Sequence, residues 1–172
     1  YAIPKGTISY EVRSGGTDEQ YNRIKNATIE AVNYWNNLTS IKDVRISAGF
    51  VDGVPTADCS YGGWIRVGSN SAYQATGTIL HEMLHGVGVI PWAGGQWSQF
   101  PLRKSKQSAQ GGTFGSGDWL GDRAAAVAQF WNNNTTDVLH GDYQHMWPFG
   151  INGANEDTHA VELYLSNGLM IQ

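Results

Sequence analysis

The sequence has one cysteine, few charged residues and no long apolar run. A single thiol, Cys59, excludes an internal disulfide. We interpret it as a small buried residue, with a thiolate metal ligand as the alternative. Because no run of about 18 apolar residues occurs, we expect no membrane span. The net charge of −4 leaves no broad basic face, so we expect no nucleic-acid partner.

The length and composition predict one folded domain. A chain of 172 residues with 41% hydrophobic residues can bury a core of its own. We predict a single domain over residues 1–172, with a sheet-and-helix part over residues 1–90 and a loop-rich part over residues 91–172. The chain begins at Tyr1 without a methionine or a signal-like segment, so we expect it to be the mature part of a longer protein.

The first half of the chain predicts strands and two helices. Alternating, β-rich residues predict three strands, over residues 6–12, 44–51 and 64–69. The Gly/Pro/Asp-rich stretch between the last two is predicted as a loop. Apolar residues at helical spacing predict a helix over residues 18–38, which Thr17 or Asp18 can cap. The same spacing predicts a second helix over residues 73–87, with Gly86 and Gly88 marking its end.

Regular structure is sparser in the second half. Residues 91–118 predict a long loop crowded with aromatic side chains, and a loop of this length is more often functional than filler. A short helix is predicted over residues 122–131, a loop over residues 140–153 and a last helix over residues 156–168.

The stretch HEMLHGVGVIP, residues 81–91, carries residue types that bind and use a metal. His81 and His85 are four apart on the predicted helix, so both imidazoles can reach one zinc ion. Glu82 can then take a proton from a water on that metal, as in zinc-dependent peptide hydrolysis. HExxH also arises by chance, but its place on an amphipathic helix after a strand, followed by Gly88, favours a metal site.

HEMLHGVG, residues 81–88, resembles the metzincin clan of zinc endopeptidases. Members of that clan share an N-terminal twisted sheet, a backing helix and an active-site helix that ends at a glycine. The likeness is specific over residues 73–88 and extends to the order of elements over residues 6–69. The first strand, GTISYEV, also looks like that of astacin-type domains.

The metzincin resemblance implies an α+β, zincin-like fold with a twisted, mostly N-terminal sheet, a backing helix, an active-site helix and a loop-rich C-terminal part. It implies a Zn²⁺ cofactor and a protein or peptide substrate, glycoproteins included. It further implies a secreted or extracellular protein, with a periplasmic location as the alternative. We expect a monomer.

The third zinc ligand is missing from the helix motif. A catalytic zinc takes three protein ligands, and position 91, where many metzincins carry a histidine, is Pro91. Six downstream residues are candidates: His140, Asp142, His145, Glu156, His159 and Glu162. A distant ligand adds little loop entropy, and leishmanolysin-type metzincins also take theirs from far downstream. We favour His145, because Gly141 and Pro148 bracket it in a loop. His140 is the alternative, and a glutamate ligand would be gluzincin-like.

Four further residues are candidates for supporting roles. Asp142 is a candidate to orient a ligand histidine through its other ring nitrogen. Tyr143 is a candidate hydrogen-bond donor to the oxyanion, with a packed aromatic as the alternative. Metzincins place a methionine beneath the metal, and Met170 and Met146 are the candidates for it here.

The sequence therefore predicts a zinc metalloendopeptidase. We expect an extended substrate to pair with the strand WIRVGS, residues 64–69, and the aromatic loop to line the cleft. One alternative is a non-catalytic carbohydrate- or protein-binding module on a zincin scaffold. Glu82 argues against it, because a structural zinc site needs no carboxylate beside its first ligand. Another alternative is a zinc hydrolase that acts on a non-peptide substrate, because the same activated water could attack it.

Overall fold

The structure, a computed structural model, describes residues 4–87, 122–137, 140–141 and 146–147. Of these, residues 4–87 belong to one compact unit and the others to a second. The single domain expected over residues 1–172 stays a prediction.

The described part of the first unit combines a mixed four-stranded sheet with two α-helices, which confirms the α+β class. Its elements in chain order are β1 Ser9–Arg13, α1 Asp18–Leu38, β2 Arg45–Phe50, β3 Ala57–Ser60, β4 Trp64–Val67 and α2 Thr76–Gly86. One turn of 3-10 helix, Ser71–Tyr73, precedes α2, which begins three residues later than predicted.

The described part of the second unit holds a helix and a short hairpin. The helix α3, Asp122–Asn132, lies where a helix was predicted. Two antiparallel strands, β5 His140–Gly141 and β6 Met146–Trp147, fall within the stretch predicted as a loop. The predicted helix over residues 156–168 and the predicted loop over residues 91–118 lie outside the described residues.

The sheet has the strand order β1-β2-β4-β3, in which only β3 is antiparallel to its neighbour. The prediction of a continuous loop between residues 51 and 64 was wrong at Ala57–Ser60. This strand is stabilised by its partner, since Asp58 pairs with Arg66 and Cys59 with Ile65. Such cross-strand contacts outweigh local composition, which here favoured a loop.

The position of β4 corrects a second expectation. The segment WIRVGS was expected to offer its backbone to an extended substrate. In the structure β4 lies between β2 and β3 and is paired on both sides. Among the described strands β3 lies at that edge of the sheet instead.

Helix α1 packs across the sheet and against α2. Thr17, one of the two predicted caps, is the N-cap of this helix. It forms a capping box with Gln20: the Gln20 amide N–H donates to Thr17 Oγ1 over 3.2 Å, and the Thr17 amide donates to Gln20 Oε1 over 2.8 Å. One face of α1 is buried, with Ile24 and Trp35 each 1% exposed. Burying such side chains stabilises the fold by roughly 1.5–3 kcal/mol each.

The core lies between the sheet and the two helices. It is formed by the inward residues of β2 and β4 and by the apolar residues of α2: Ile46, Ala48, Ile65, Val67, Ile79, Leu80, Met83 and Leu84. Helix α2 therefore lies inside the unit. Of the helices in the described residues, none has both the length and the apolar character that a membrane crossing requires.

Candidate metal centre

Helix α2 is buried around most of its circumference, and nine of its eleven residues are buried. A helix of this kind is normally apolar on every side. It nevertheless carries two ionisable groups in the interior, since His81 is 1% exposed and Glu82 3%. Removing such groups from water costs free energy unless their polar atoms are used. Their burial therefore marks this part of α2 as a candidate functional site.

His81 and His85 point their ring nitrogens at each other. Their Nε2 atoms lie 3.2 Å apart, and the rings meet at 81° with centroids separated by 4.9 Å. Two nitrogens that ligate one tetrahedral zinc, each about 2.0–2.1 Å from it, lie roughly 3.3 Å apart. The pair thus has the spacing of two ligands of a single ion. His85 is only half-buried, so one side of the pair is open to solvent.

Glu82 lies in a surrounding that favours its protonated form. Burial is the main cause and the negative charge of Asp58 the second, and together they raise the pKa of Glu82 to about 8. A carboxylic acid with such a pKa exchanges its proton near neutral pH, which suits a general acid or base. Perturbed carboxyl groups of this kind are concentrated in functional sites.

The turn between β3 and β4 packs directly on the C-terminal end of α2. The amide N–H of Gly62 donates to the Gly86 carbonyl over 3.2 Å. A Cβ on Gly86 would lie 3.1 Å from Gly63 Cα and 3.3 Å from Cys59 Sγ, so the helix and the turn meet without room for a side chain. This contact fixes the end of α2 that carries His85.

Cys59 is half-buried in this contact and donates a hydrogen bond to the Ser60 carbonyl over 3.3 Å. Burial, followed by the negative charges of Glu82 and Asp58, raises the pKa of its thiol to about 12. This surrounding favours the thiol over the thiolate, which agrees with a packing role for Cys59.

The start of α2 is held by a buried glutamine. Gln74 is 4% exposed, and its Nε2 donates to the Gly68 carbonyl over 2.8 Å. Its Oε1 accepts from Arg23 Nε, also over 2.8 Å. Gln74 thereby connects α1 to the segment that leads from β4 into α2. Both ends of the helix are therefore tied to neighbouring elements.

The structure places His81, Glu82 and His85 on α2 and brings the Nε2 atoms of the two histidines together. The backbone of His140 belongs to β5 and that of Met146 to β6. The other predicted site residues lie outside the described residues: Asp142, Tyr143, His145, Glu156, His159, Glu162 and Met170. Within the described stretches, no three His, Cys, Asp or Glu side chains form a group that could hold a metal. The third ligand therefore stays a prediction.

Asp58 is a site residue that the sequence did not indicate. Both guanidinium nitrogens of Arg66 that face it, Nε and Nη2, bond its carboxylate, with Nε at 2.7 Å from Oδ1. Its charge contributes to the raised pKa of Glu82 and of Cys59. No spacing rule connects residues 58 and 82, because only the pairing of β3 with β4 brings Asp58 towards α2.

Comparison with protein-family models, with curated proteins and with solved structures finds no match to this chain. The likeness to metzincins accordingly rests on the motif and the order of elements.

Proposed function

We propose that this chain is a zinc-dependent endopeptidase in which His81 and His85 bind the metal and Glu82 is the general base. The observation that carries the proposal is the pair of Nε2 atoms 3.2 Å apart on a buried helix that also buries Glu82. The sheet, the backing helix α1 and the inner helix α2 follow one another in the order that the metzincin resemblance implies. We therefore also propose a zincin-like fold.

The proposed chemistry depends on Glu82. Zinc supplies Lewis acidity, which lowers the pKa of water and polarises a carbonyl group. In its ionised form Glu82 would accept the proton of the attacking water and then pass it to the leaving amine. Glu82 is 3% exposed, so little bulk water reaches it and its electrostatic interactions are strengthened. A binding module would have no use for this group.

The remaining ligand and the supporting residues are proposed from the sequence. His145 is the third ligand in this proposal, with His140 as the alternative. Asp142 orients a ligand histidine, Tyr143 donates to the oxyanion and Met170 lies beneath the metal. A secreted, extracellular or periplasmic location and a monomeric state complete the proposal.

The edge strand β3 is the proposed docking site for a peptide. It contacts α2 and has one strand neighbour, β4, among the described residues. An extended peptide can add to such an edge through backbone hydrogen bonds, which recognise any sequence. A peptide bound there would lie along the strand that contacts the helix of Glu82, which supports the proposal of a protein or peptide substrate.

The proposal is tested by comparing Glu82→Gln with the unchanged protein. After zinc loading, the hydrolysis of unfolded casein or a fluorogenic peptide library should fall at least about 100-fold, the usual contribution of a general base. Bound zinc, measured by atomic absorption, should be retained, since glutamine removes no metal ligand. The exposed Glu30→Gln on α1 is the matched control. Equal rates for the Glu82 variant, or full activity after exhaustive removal of zinc, would exclude the proposed mechanism.

A further inference from the structure

The turn that joins β3 to β4 exposes an aromatic side chain beside the candidate site. Tyr61 is 62% exposed and stands between the last residue of β3, Ser60, and Gly62. It follows Cys59 by two residues, and the Cys59 sulfur packs against the end of α2. Tyr61 therefore lies in the turn where the edge strand meets the C-terminal end of α2.

The backbone around Tyr61 is held in place. The Gly62 amide donates to the Gly86 carbonyl over 3.2 Å, and the Gly63 amide donates to the Ser60 carbonyl over 3.0 Å. Gly62 and Gly63 have φ angles of 100° and 89°, which favour glycine over other residues. The turn is thus anchored to α2 at the residue after His85. An aromatic residue on an anchored turn can bind a partner with little loss of backbone entropy.

We propose that Tyr61 is a specificity-determining residue that contacts a substrate side chain at the β3–β4 turn and selects large apolar side chains. This inference rests on the proposed peptidase function. A peptide that adds to β3 reaches the end of that strand beside Tyr61. A Cβ built on Gly62, the next residue, would have no other atom within 4 Å, so the turn has open space next to Tyr61. Burying apolar surface of a substrate side chain against the ring would stabilise the complex.

A second exposed tyrosine provides the matched control. Tyr10 is 40% exposed and lies on β1, at the other end of the strand order from β3. Substituting it changes the same type of side chain on the same sheet without touching the β3–β4 turn. Both tyrosines are exposed, so alanine at either position should leave the folded structure intact, which circular dichroism and thermal unfolding would verify.

The test is a cleavage profile of the zinc-loaded chain on a randomised peptide library, read by mass spectrometry. The unchanged protein and Tyr10→Ala should both enrich large apolar residues at one position near the cleaved bond. Tyr61→Ala should lose that enrichment, and Tyr61→Phe should keep it. On a single peptide with leucine at that position, kcat/KM should fall about tenfold for Tyr61→Ala, mostly through KM, while a glycine peptide is unaffected.

The outcomes separate this inference from the one it rests on. If the zinc-loaded protein cleaves the library but Tyr61→Ala keeps the same profile, the specificity role of Tyr61 is wrong and the peptidase function stands. An equal loss for the leucine and glycine peptides would also overturn it, because a general defect is not selectivity. If the unchanged protein cleaves nothing, the peptidase function fails and the role of Tyr61 fails with it.

Discussion

His81 and His85 hold their Nε2 atoms 3.2 Å apart on successive turns of a buried helix. Two arrangements have this geometry. Either one ring donates its N–H to the other ring, or both nitrogens direct lone pairs at one cation. The two arrangements differ in their affinity for a metal ion, because only in the second do both histidines bind it.

Zinc should bind this histidine pair with a stoichiometry close to one per chain. We expect His81→Ala and His85→Ala each to weaken zinc binding by at least about 100-fold, since even residues that only orient a ligand contribute 10–100-fold. Isothermal titration at constant pH measures the affinity, and proton release on binding reports the deprotonation of the ligands. If both variants bind zinc as tightly as the unchanged protein, His81 and His85 form a hydrogen-bonded pair and are not zinc ligands.

The third ligand should be identified by three matched substitutions. His145→Ala should weaken zinc binding much more than His159→Ala, and His140→Ala should leave most of the affinity. A catalytic zinc held by two protein ligands in place of three loses a large share of its binding energy. The same titration ranks the variants. A larger loss of zinc affinity for His140→Ala would identify His140 as the third ligand. If all three variants bind zinc as tightly as the unchanged protein, none of the three histidines is the ligand.

The motif and the long helices could be predicted from sequence because both depend on neighbours along the chain. Helix α1 was predicted to begin at Asp18 and end at Leu38, and the structure places it there. Its start follows from the Thr17 cap and its length from apolar spacing. The rings of His81 and His85 meet for the same reason, since residues four apart lie on one face of a helix.

The parts that the sequence did not predict depend on distant neighbours. Strand β3 has a composition typical of a loop and is stabilised by its pairing with β4. Its formation places β4 inside the sheet, so the predicted docking strand was wrong. Asp58 was missed for the same reason. Tyr61 gave no signal either, because its position beside α2 depends on the Gly62–Gly86 hydrogen bond.

The stability of the metal-free protein should fall as the pH rises from about 4.5 to about 8. Burial and Asp58 raise the pKa of Glu82 to about 8, above the ordinary value of an unfolded glutamate. In this range the folded state binds more protons than the unfolded state, so the free energy of unfolding falls with pH. Below the range both states are protonated, and above it both are ionised.

Glu82→Gln should remove this dependence. Urea unfolding at several pH values measures the free energy of unfolding of both proteins. Between pH 4.5 and pH 8, this free energy should rise for the variant relative to the unchanged protein by up to a few kcal/mol, since each pKa unit is worth about 1.4 kcal/mol. The difference should level off above pH 8. Glu30→Gln controls for the removal of an exposed carboxylate. Parallel curves for Glu82→Gln and the unchanged protein would contradict a buried, protonated Glu82.

Cys59 should react slowly with alkylating reagents in the folded protein. The thiolate is the reactive form, and burial together with Glu82 and Asp58 raises the pKa of this thiol to about 12. At pH 8 we expect iodoacetamide to modify Cys59 about a thousandfold more slowly than an unperturbed thiol, whose pKa is about 8.5. The rate is measured by mass spectrometry, with the urea-unfolded chain as the reference.

Asp58→Asn should raise the folded-state rate several-fold, because it removes one of the charges that oppose ionisation. A folded-state rate equal to that of the unfolded chain would mean that Cys59 is not packed against Gly86.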